Sequence, residues 1–132
     1  MQIKCGDYVE NEKVIDEEDI LNFAKFSNDY NPIHFEEQAA QKQGYRHRIV
    51  HGMLIGSLFS KIIGTQLPGD GSVYISQVLN FKRPVFVGEK VKIRVEVVGI
   101  KDKNVFLLKT SCFNEKGKVA VAGEAEVLLK EV

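Results

Sequence analysis

The chain has 132 residues, of which 44% are hydrophobic and 27% are charged, a composition typical of one folded domain with a hydrophobic core. The 18 Lys and Arg residues balance the 18 Asp and Glu residues, which argues against a nucleic-acid-binding protein but leaves room for a local basic patch that binds a phosphate-bearing ligand. Two cysteines, Cys5 and Cys112, are too few for a disulfide scaffold and lack metal-ligand spacing, so we expect reduced, structural cysteines in a cytoplasmic protein.

Neither a signal peptide nor a membrane span is expected from the sequence. Residues 1–14 lack the apolar segment of a signal peptide. The longest apolar stretch, residues 49–67, is interrupted by His51, Lys61 and small polar residues, which is more typical of a buried helix. The sequence contains no repeat and no dividing linker, so we expect a single domain over residues 1–132 with no membrane partner.

The N-terminal segment predicts a short strand followed by a helix. Residues 7–14 are a strand candidate, and Asp16 is a candidate helix N-cap. The three acidic residues that follow Asp16 favour a helix start, because negative charge interacts well with a helix N-terminus. One mostly apolar face then recurs at Ile20, Phe23, Ala24 and Ser27.

The stretch SNDYNPIHF, residues 27–35, predicts a turn that brings two polar side chains together. Asp29 and His34 are five positions apart, and on one continuous helix they would point to different sides. Pro32 disfavours a helical conformation at Asn31 and removes a backbone donor. We therefore expect a turn, shaped by Asn31, that can direct Asp29 and His34 at one point. Asp29 by itself is equally compatible with an Asx turn to the nearby backbone.

Two helices are expected after this turn. A short one covers residues 35–44 and ends at Gly44, a residue typical of helix C-termini. After a loop, a longer helix begins at Gly52 and runs to about residue 67, roughly 24 Å at 1.5 Å per residue. It is apolar on most sides, which predicts that its surroundings bury it. The stretch PGDGS, residues 68–72, ends it.

The C-terminal half predicts antiparallel strands. Four stretches have strand character, at residues 72–81, 90–100, 104–113 and 118–129. In the second stretch apolar and charged residues alternate, which is typical of a sheet with one solvated face. Pro84 and Gly88 indicate a break before it. The other face must be buried, and only the long helix is large enough to cover it. We therefore predict an α+β hotdog fold, an antiparallel sheet wrapped around a long central helix, with short helices in an overhanging segment.

These residues resemble the MaoC-like, single-domain (R)-specific enoyl-CoA hydratases, which are hotdog enzymes of the hydratase-2 type. The resemblance lies in FSNDYNPIHF, IVHGMLIGSLFS and VLNFKRPVFVGEKVKIRVEV, and it extends from about residue 16 to the C-terminus. The D-x-N-P-[IL]-H element together with the downstream H-G-M-L is its specific part. Arg48 is a departure, because many relatives have proline before the I-V-H-G stretch.

The resemblance implies an enzyme that adds water to a trans-2-enoyl-CoA thioester and forms an (R)-3-hydroxyacyl-CoA. It implies Asp29 and His34 as the catalytic pair, the backbone N–H of Gly52 as donor to the thioester oxygen, and Ser60 as a supporting residue. No cofactor is implied, since coenzyme A is part of the substrate. A homodimer is implied, with the substrate in a tunnel between the subunits.

The chemistry explains why these groups are needed. Water is a poor nucleophile, and a positioned acid–base pair accelerates its addition by about 10²–10⁴-fold. Asp29 is favoured as the first proton acceptor, with His34 orienting the water, although the order can be reversed because coupled groups titrate as a pair. Gly52 opens a helix, where N–H groups have no intrahelical partner and the helix dipole is positive.

Further residues are assigned around this pair. Met53 and Leu54 are expected to contact the acyl chain, together with the region of residues 81–86. Contacts to the phosphates of coenzyme A are assigned to Lys82, Arg83, Arg46 and Arg48. His51 supports the site by packing or by contacting the loop, and His47 is expected to be solvated. No metal site is expected, because the three histidines include no pair at i, i+4.

Three other functions remain compatible with the sequence. A hotdog thioesterase would direct an activated water at the thioester carbon itself. A non-catalytic acyl-CoA-binding or partner subunit would need only the fold. A related enzyme would act on acyl groups attached to a carrier protein. The acid–histidine element favours the hydratase. The sequence does not determine whether the acyl group is carried by coenzyme A or by a carrier protein, how long the acyl chain is, or in which pathway the enzyme acts.

Overall fold

The computed structural model describes residues 2–130, which form a six-stranded antiparallel sheet packed against one long helix. The strands are β1 (Tyr8–Val14), β2 (Ser72–Gln77), β3 (Asn80–Phe81), β4 (Lys90–Lys101), β5 (Val105–Phe113) and β6 (Val119–Leu129). Their order across the sheet is β1-β4-β5-β6-β2, and β3 also pairs with β6. The predicted α+β hotdog architecture is confirmed.

Four helical segments lie between β1 and β2 in the chain. They are α1 (Glu17–Ser27), a 3₁₀ helix (Pro32–His34), α2 (Glu37–Lys42) and α3 (Gly52–Thr65). The expected N-cap of α1 is confirmed, since Asp16 and Asp19 each accept the backbone N–H of the other. The helix ends at Asn28, which is left-handed with φ of 62° and donates its N–H to Ala24. Among residues 2–130, no helix is long and apolar enough to cross a membrane.

The predicted short helix over residues 35–44 is confirmed as α2, although it begins two residues later, at Glu37. The 3₁₀ helix at Pro32 precedes it, and Asn31 caps that helix by accepting the N–H of Ile33 at 3.3 Å. Proline is well suited to this first helical position, where its missing N–H is not needed. Gly44 ends the following helix region with φ of 92°, as expected of a C-terminal glycine.

Helix α3 lies against the concave face of the sheet with one side only. Its buried residues are Leu54, Ile55, Phe59, Ile62 and Ile63. They meet the inward-facing residues of β4, which are Val91, Ile93, Val95 and Val97. The expectation that α3 is buried on most sides is wrong within one chain, because Met53, Ser57 and Ser60 are exposed. The helix also ends at Thr65, earlier than residue 67.

The single strand predicted over residues 72–81 is divided into β2 and β3. Both pair with β6, and the register shifts between Tyr74 and Ser76. The connecting residues stay close to β6, where Val78 donates its N–H to Glu124 at 2.8 Å. Gly123 permits this approach, since a Cβ atom there would lie 1.7 Å from the carbonyl oxygen of Val78. The segment that follows β2 is thereby held over the start of α3.

Candidate active site

The turn after α1 is built from side chains that bond to the backbone. Ser27 accepts the N–H of Asp29 at 3.1 Å, and Asp29 Oδ1 accepts the N–H of Asn31 at 3.2 Å. Asp29 therefore forms the Asx turn, while its second carboxylate oxygen has no protein partner among residues 2–130. Asn31 shapes the turn as expected. The exposed carboxylate of Asp29 is held in place and keeps one oxygen available.

His34 follows this turn and is buried, with 6% of its surface exposed. Its Nδ1–H donates to the carbonyl oxygen of Ile49 at 2.7 Å. A carbonyl can only accept, so the neutral ring carries its proton on Nδ1 and leaves Nε2 as a proton acceptor. Burial lowers the pKa of His34 below its ordinary value, and His51 lowers it further, whereas the bond to Ile49 and the charge of Asp29 raise it.

His51 lies directly against this pair and contacts the loop, in the supporting position expected for it, but its stacking on His34 was not expected. It is 2% exposed, and its Nε2–H donates to the main-chain carbonyl of Asp29 at 3.0 Å. Its ring stacks on that of His34 with centroids 3.7 Å apart, and Phe23 packs on it at 4.9 Å. Within residues 2–130, no polar group bonds to its buried Nδ1 atom. One potential ligand atom each of Asp29, His34 and His51 lies within 4.8 Å of the others.

This cluster does not fit a metal ion as it stands. Two imidazoles that bind one zinc ion at roughly 2.0–2.1 Å in tetrahedral geometry direct converging lone pairs at it. The two histidine rings are stacked, with their centroids 3.7 Å apart and an angle of 25° between their planes, so their lone pairs point side by side. The stack would have to open before both rings could coordinate one ion. The cluster is better suited to holding a water molecule and moving protons.

A cavity of about 470 Å³ opens beside the cluster. Its polar end includes Asp29, His34 and His51 together with Gly52, the first residue of α3. Most of the remaining wall is apolar and consists of Ile33, Tyr45, Ile49, Val50, Met53, Ile55, Phe81, Pro84, Val85 and Val121. Lys82 and Arg83 also line it. The structure thus brings the expected acid, histidine and helix start to one concave site.

Phe81 lies close above Gly52 at the edge of this cavity. A Cβ atom at position 52 would lie 2.7 Å from the Phe81 ring, so any larger residue would displace this ring. The ring is half exposed. Because α3 begins at Gly52, the N–H of this residue has no partner within the helix. The site therefore combines a free backbone donor with two proton acceptors.

Several expected site residues lie elsewhere. Leu54 is in the core and does not line the cavity, because it is next to Met53 in the helix and points to another side. Ser60 is exposed and outside the cavity, about 12 Å along the helix from Gly52 at 1.5 Å per residue. In the single chain neither residue lines the cavity, and the roles expected for them stay predictions.

The arginines assigned to coenzyme A are also placed differently. Arg48 forms an ion pair with Glu17 and donates Nε–H to the carbonyl of His34 at 2.8 Å, so it is occupied within the protein. Arg46 lies over the Phe86 ring at 5.1 Å, outside the cavity. His47 is exposed as expected, although it contacts Glu37. Of the assigned cations, only Lys82 and Arg83 line the site.

Known proteins resemble this chain in both sequence and fold. The model of the MaoC-like domain family matches residues 4–116. An (R)-specific enoyl-CoA hydratase of Aeromonas caviae is 46% identical over 112 residues, which cover 84% of each chain. A mitochondrial 3-hydroxyacyl-[acyl-carrier-protein] dehydratase of Arabidopsis thaliana is 39% identical over 131 residues, covering 96% of this chain and 78% of the relative.

A solved structure agrees with these relatives. It is described as the (R)-hydratase from A. caviae involved in PHA biosynthesis, and it superimposes with a TM-score of 0.93. The two chains are 40% identical, with 97% of this chain and 98% of the other covered. The likeness therefore extends over the whole sheet, α3 and the segment that carries Asp29 and His34.

The lowered pKa of His34 predicts how stability depends on pH. In the unfolded chain this histidine takes up a proton near its ordinary pKa of 6.5, whereas the folded chain resists protonation until lower pH. The unfolded state therefore binds more protons as the pH falls below this value, and the free energy of unfolding should decrease. Denaturant unfolding at about pH 7.5 and about pH 5 measures the change.

A matched pair of variants isolates the residue responsible. His34→Asn keeps a donor for Ile49 but cannot titrate, so it should flatten the dependence of stability on pH. His47→Asn removes an exposed histidine that lies outside the cluster and serves as the matched control for the substitution itself. An unchanged slope in His34→Asn would show that His34 is not the titrating group.

Proposed function

The chain belongs to the MaoC-like domain family, and from this membership we propose that it is an (R)-specific enoyl-CoA hydratase in which Asp29 and His34 activate water. The observation that carries the proposal is the convergence of these two groups within 4.8 Å beside an apolar cavity and a helix N-terminus. Hydration of a trans-2-enoyl thioester needs this combination: two proton-accepting groups, an oxyanion donor and an apolar site for the acyl chain.

Water is held between the two acceptors. The free oxygen of Asp29 and Nε2 of His34 each accept one of its O–H groups, which aligns an oxygen lone pair with the β-carbon. Asp29 takes the first proton as the new C–O bond forms. The proton then returns to the α-carbon of the enolate, with His34 assisting, and the product is a 3-hydroxyacyl thioester. The order of the two groups can be reversed, because they are coupled.

The enolate oxygen is stabilised by the N–H of Gly52. This donor is fixed before the reaction, lies at the positive end of α3 and has no competing helical acceptor. Preorganised donors of this kind typically contribute about 2.7–4 kcal/mol to lowering the barrier. The absence of a side chain also lets the thioester approach the backbone.

His51 and Asn31 support the pair without touching the reacting atoms. His51 holds the main chain of Asp29 through its Nε2–H and stacks on the ring of His34. Asn31 caps the 3₁₀ helix that carries His34. We do not extend a supporting role to Ser60, since it is exposed and outside the cavity.

The apolar wall accommodates the acyl chain, with Met53 and Phe81 at its exposed edge. Lys82 and Arg83 are assigned to the negatively charged coenzyme, since they are the cationic side chains of the cavity wall. Arg83 also donates to the carbonyl of Val119 at 2.7 Å, which orients its guanidinium. Leu54 is excluded from this binding set by its place in the core.

A homodimer is the assembly that fits the exposed surface. β2 ends the order of the sheet, so one edge of it has no strand partner among residues 2–130. Near this edge and at the start of α3, apolar side chains are between 47% and 62% exposed, namely Val73, Ile75, Phe81 and Met53. An unpaired edge with apolar side chains is suited to pairing with a second copy.

The same chemistry on a carrier protein is the second candidate. The Arabidopsis relative is named as a dehydratase of a 3-hydroxyacyl group on acyl-carrier protein, and the thioester end of both substrates is chemically alike. Rates with crotonyl-CoA and with the same acyl group on a pantetheinylated carrier protein distinguish the two. A higher kcat/KM on the carrier protein would favour the second candidate.

Hydratase activity is the first test of this proposal. The purified chain should remove the enone absorbance of crotonyl-CoA without releasing free thiol, and the product should be the (R)-3-hydroxy thioester. Asp29→Asn and His34→Asn should each lower kcat by about 10²–10⁴-fold, the usual contribution of a general acid–base group. His34→Asn retains an N–H for Ile49, so loss of fold is not the expected cause.

Two controls accompany these variants. The circular dichroism spectra of the catalytic variants should match that of the wild type, and the exposed-residue variant His47→Asn should keep the wild-type kcat. His51→Gln, which retains an amide donor near the Asp29 carbonyl, should lose less activity than either catalytic variant. Thiol release without loss of the enone would assign a thioesterase instead. Full activity in Asp29→Asn would remove the proposed mechanism.

Two substitutions at Gly52 separate its N–H from its small size. Gly52→Ala keeps the N–H, whereas Gly52→Pro removes it, and both place a Cβ atom against the Phe81 ring. Proline suits the first position of a helix, and the preceding residue His51 has φ of −56° and ψ of 127°, which proline accepts. Gly52→Pro should therefore have a kcat about 10²–10³-fold below that of Gly52→Ala. Equal rates would exclude the N–H as the oxyanion donor.

Sedimentation measures the proposed dimer. The wild type should sediment as a dimer, and Ile75→Lys on β2 should shift it towards monomer, because a charge at the interface must be desolvated. Val14→Lys replaces a comparably exposed apolar residue on β1, at the opposite edge of the sheet, and should leave the dimer intact. A monomeric wild type, or dissociation caused only by Val14→Lys, would contradict the assignment.

A further inference from the structure

Arg48 connects three elements around the catalytic turn. Its side chain is only 15% exposed and forms a two-point ion pair with Glu17, in the first turn of α1. Its Nε–H donates to the carbonyl of His34 at 2.8 Å. Its backbone N–H donates to the carboxylate of Glu37, in α2, at 3.0 Å. A single residue thus contacts α1, the 3₁₀ helix and α2.

The neighbouring residue reinforces the same connection. Ile49 donates its N–H to Ile33 at 3.2 Å and accepts the ring proton of His34. The loop at residues 48–49 therefore bonds the 3₁₀ helix through one main-chain amide, one carbonyl and one guanidinium. Of these three, only the guanidinium depends on the identity of a side chain in the loop.

We propose that Arg48 is a positioning residue. By anchoring the His34 main chain to Glu17 of α1, it keeps the His34 ring in the position from which it acts with Asp29. The inference rests on the proposed function, because it concerns the residue that orients the acid–base pair. Arg48 does not line the cavity and acts only through His34.

The two side-chain contacts observed in this chain together require arginine in particular. The guanidinium presents several N–H groups in a rigid plane, so one edge bonds both oxygens of Glu17 while Nε–H remains directed at His34. A lysine at this position has a single ammonium group on a flexible stem and cannot reproduce both contacts in one geometry. The bond to Arg48 lowers the pKa of Glu17, which keeps the carboxylate charged and the ion pair formed.

Loss of this anchor changes the orientation of His34 and not the binding of substrate. Arg48→Met should lower kcat by about tenfold or more, since small displacements of a reacting group are costly, while KM changes little. Arg48→Lys should have an intermediate kcat. Glu17→Gln should lose less than Arg48→Met, because the Nε–H bond to His34 remains.

Arg94 provides the matched control. It also joins two carboxylates, Glu10 and Glu96, each at 3.0 Å, and lies over the Tyr8 ring at 3.8 Å, but on β4 and outside the cavity. Arg94→Met therefore removes a comparable set of ion pairs and should keep the wild-type kcat. All rates are measured at a temperature where circular dichroism shows every variant to be folded.

A second readout does not depend on turnover. The Nδ1 proton of His34, bonded to Ile49, should give a slowly exchanging NMR signal in the wild type, and Arg48→Met should accelerate its exchange where Arg94→Met does not. An inactive wild type that shows this pattern would reject the hydratase but keep the anchor. The proposal would be overturned if Arg48→Met kept both the kcat and the His34 proton exchange rate of the wild type. It would also be overturned if Arg94→Met lost as much kcat as Arg48→Met.

Discussion

The hydrogen bond from His34 Nδ1 to the carbonyl of Ile49 is the contact on which the site depends. It determines which ring nitrogen carries the proton, and therefore which one can accept a proton from water. It also ties the turn after α1 to the loop that leads into α3. Because that loop reaches Gly52 only three residues later, the proton acceptors and the helix N-terminus are held as one unit.

Both buried histidines of the site are fixed by a main-chain hydrogen bond, although Nδ1 of His51 has no polar partner among residues 2–130. His34 and His51 each donate one ring N–H to a main-chain carbonyl, which offsets much of the cost of burying an imidazole. Burial lowers the pKa of His34, and the His51 ring stacked on it lowers that pKa further. A neutral histidine beside the exposed carboxylate of Asp29 is well prepared to accept a proton.

Much of the fold follows from local patterns, whereas parts of the site do not. The cap at Asp16, the turn at Pro32 and the alternation in β4 were all predicted, because each reflects interactions between near neighbours in sequence. The division of residues 72–81 into β2 and β3 was missed, since it depends on the close approach of Val78 to Gly123 across the sheet. The exposure of Ser60 was missed because its apolar neighbours in α3 predicted a helix buried on most sides, whereas one chain covers only one side of it.

The sequence by itself determined the hotdog class, the turn containing Asp29 and His34, and the glycine that opens α3. These depend on proline geometry, residue periodicity and helix ends, all of which act over a few residues. Only the tertiary structure decided that His51 stacks on His34 and that Arg48 anchors the same turn instead of facing the cavity. Such contacts join residues 14 to 31 positions apart, and no local pattern specifies which distant partner a buried polar group will meet.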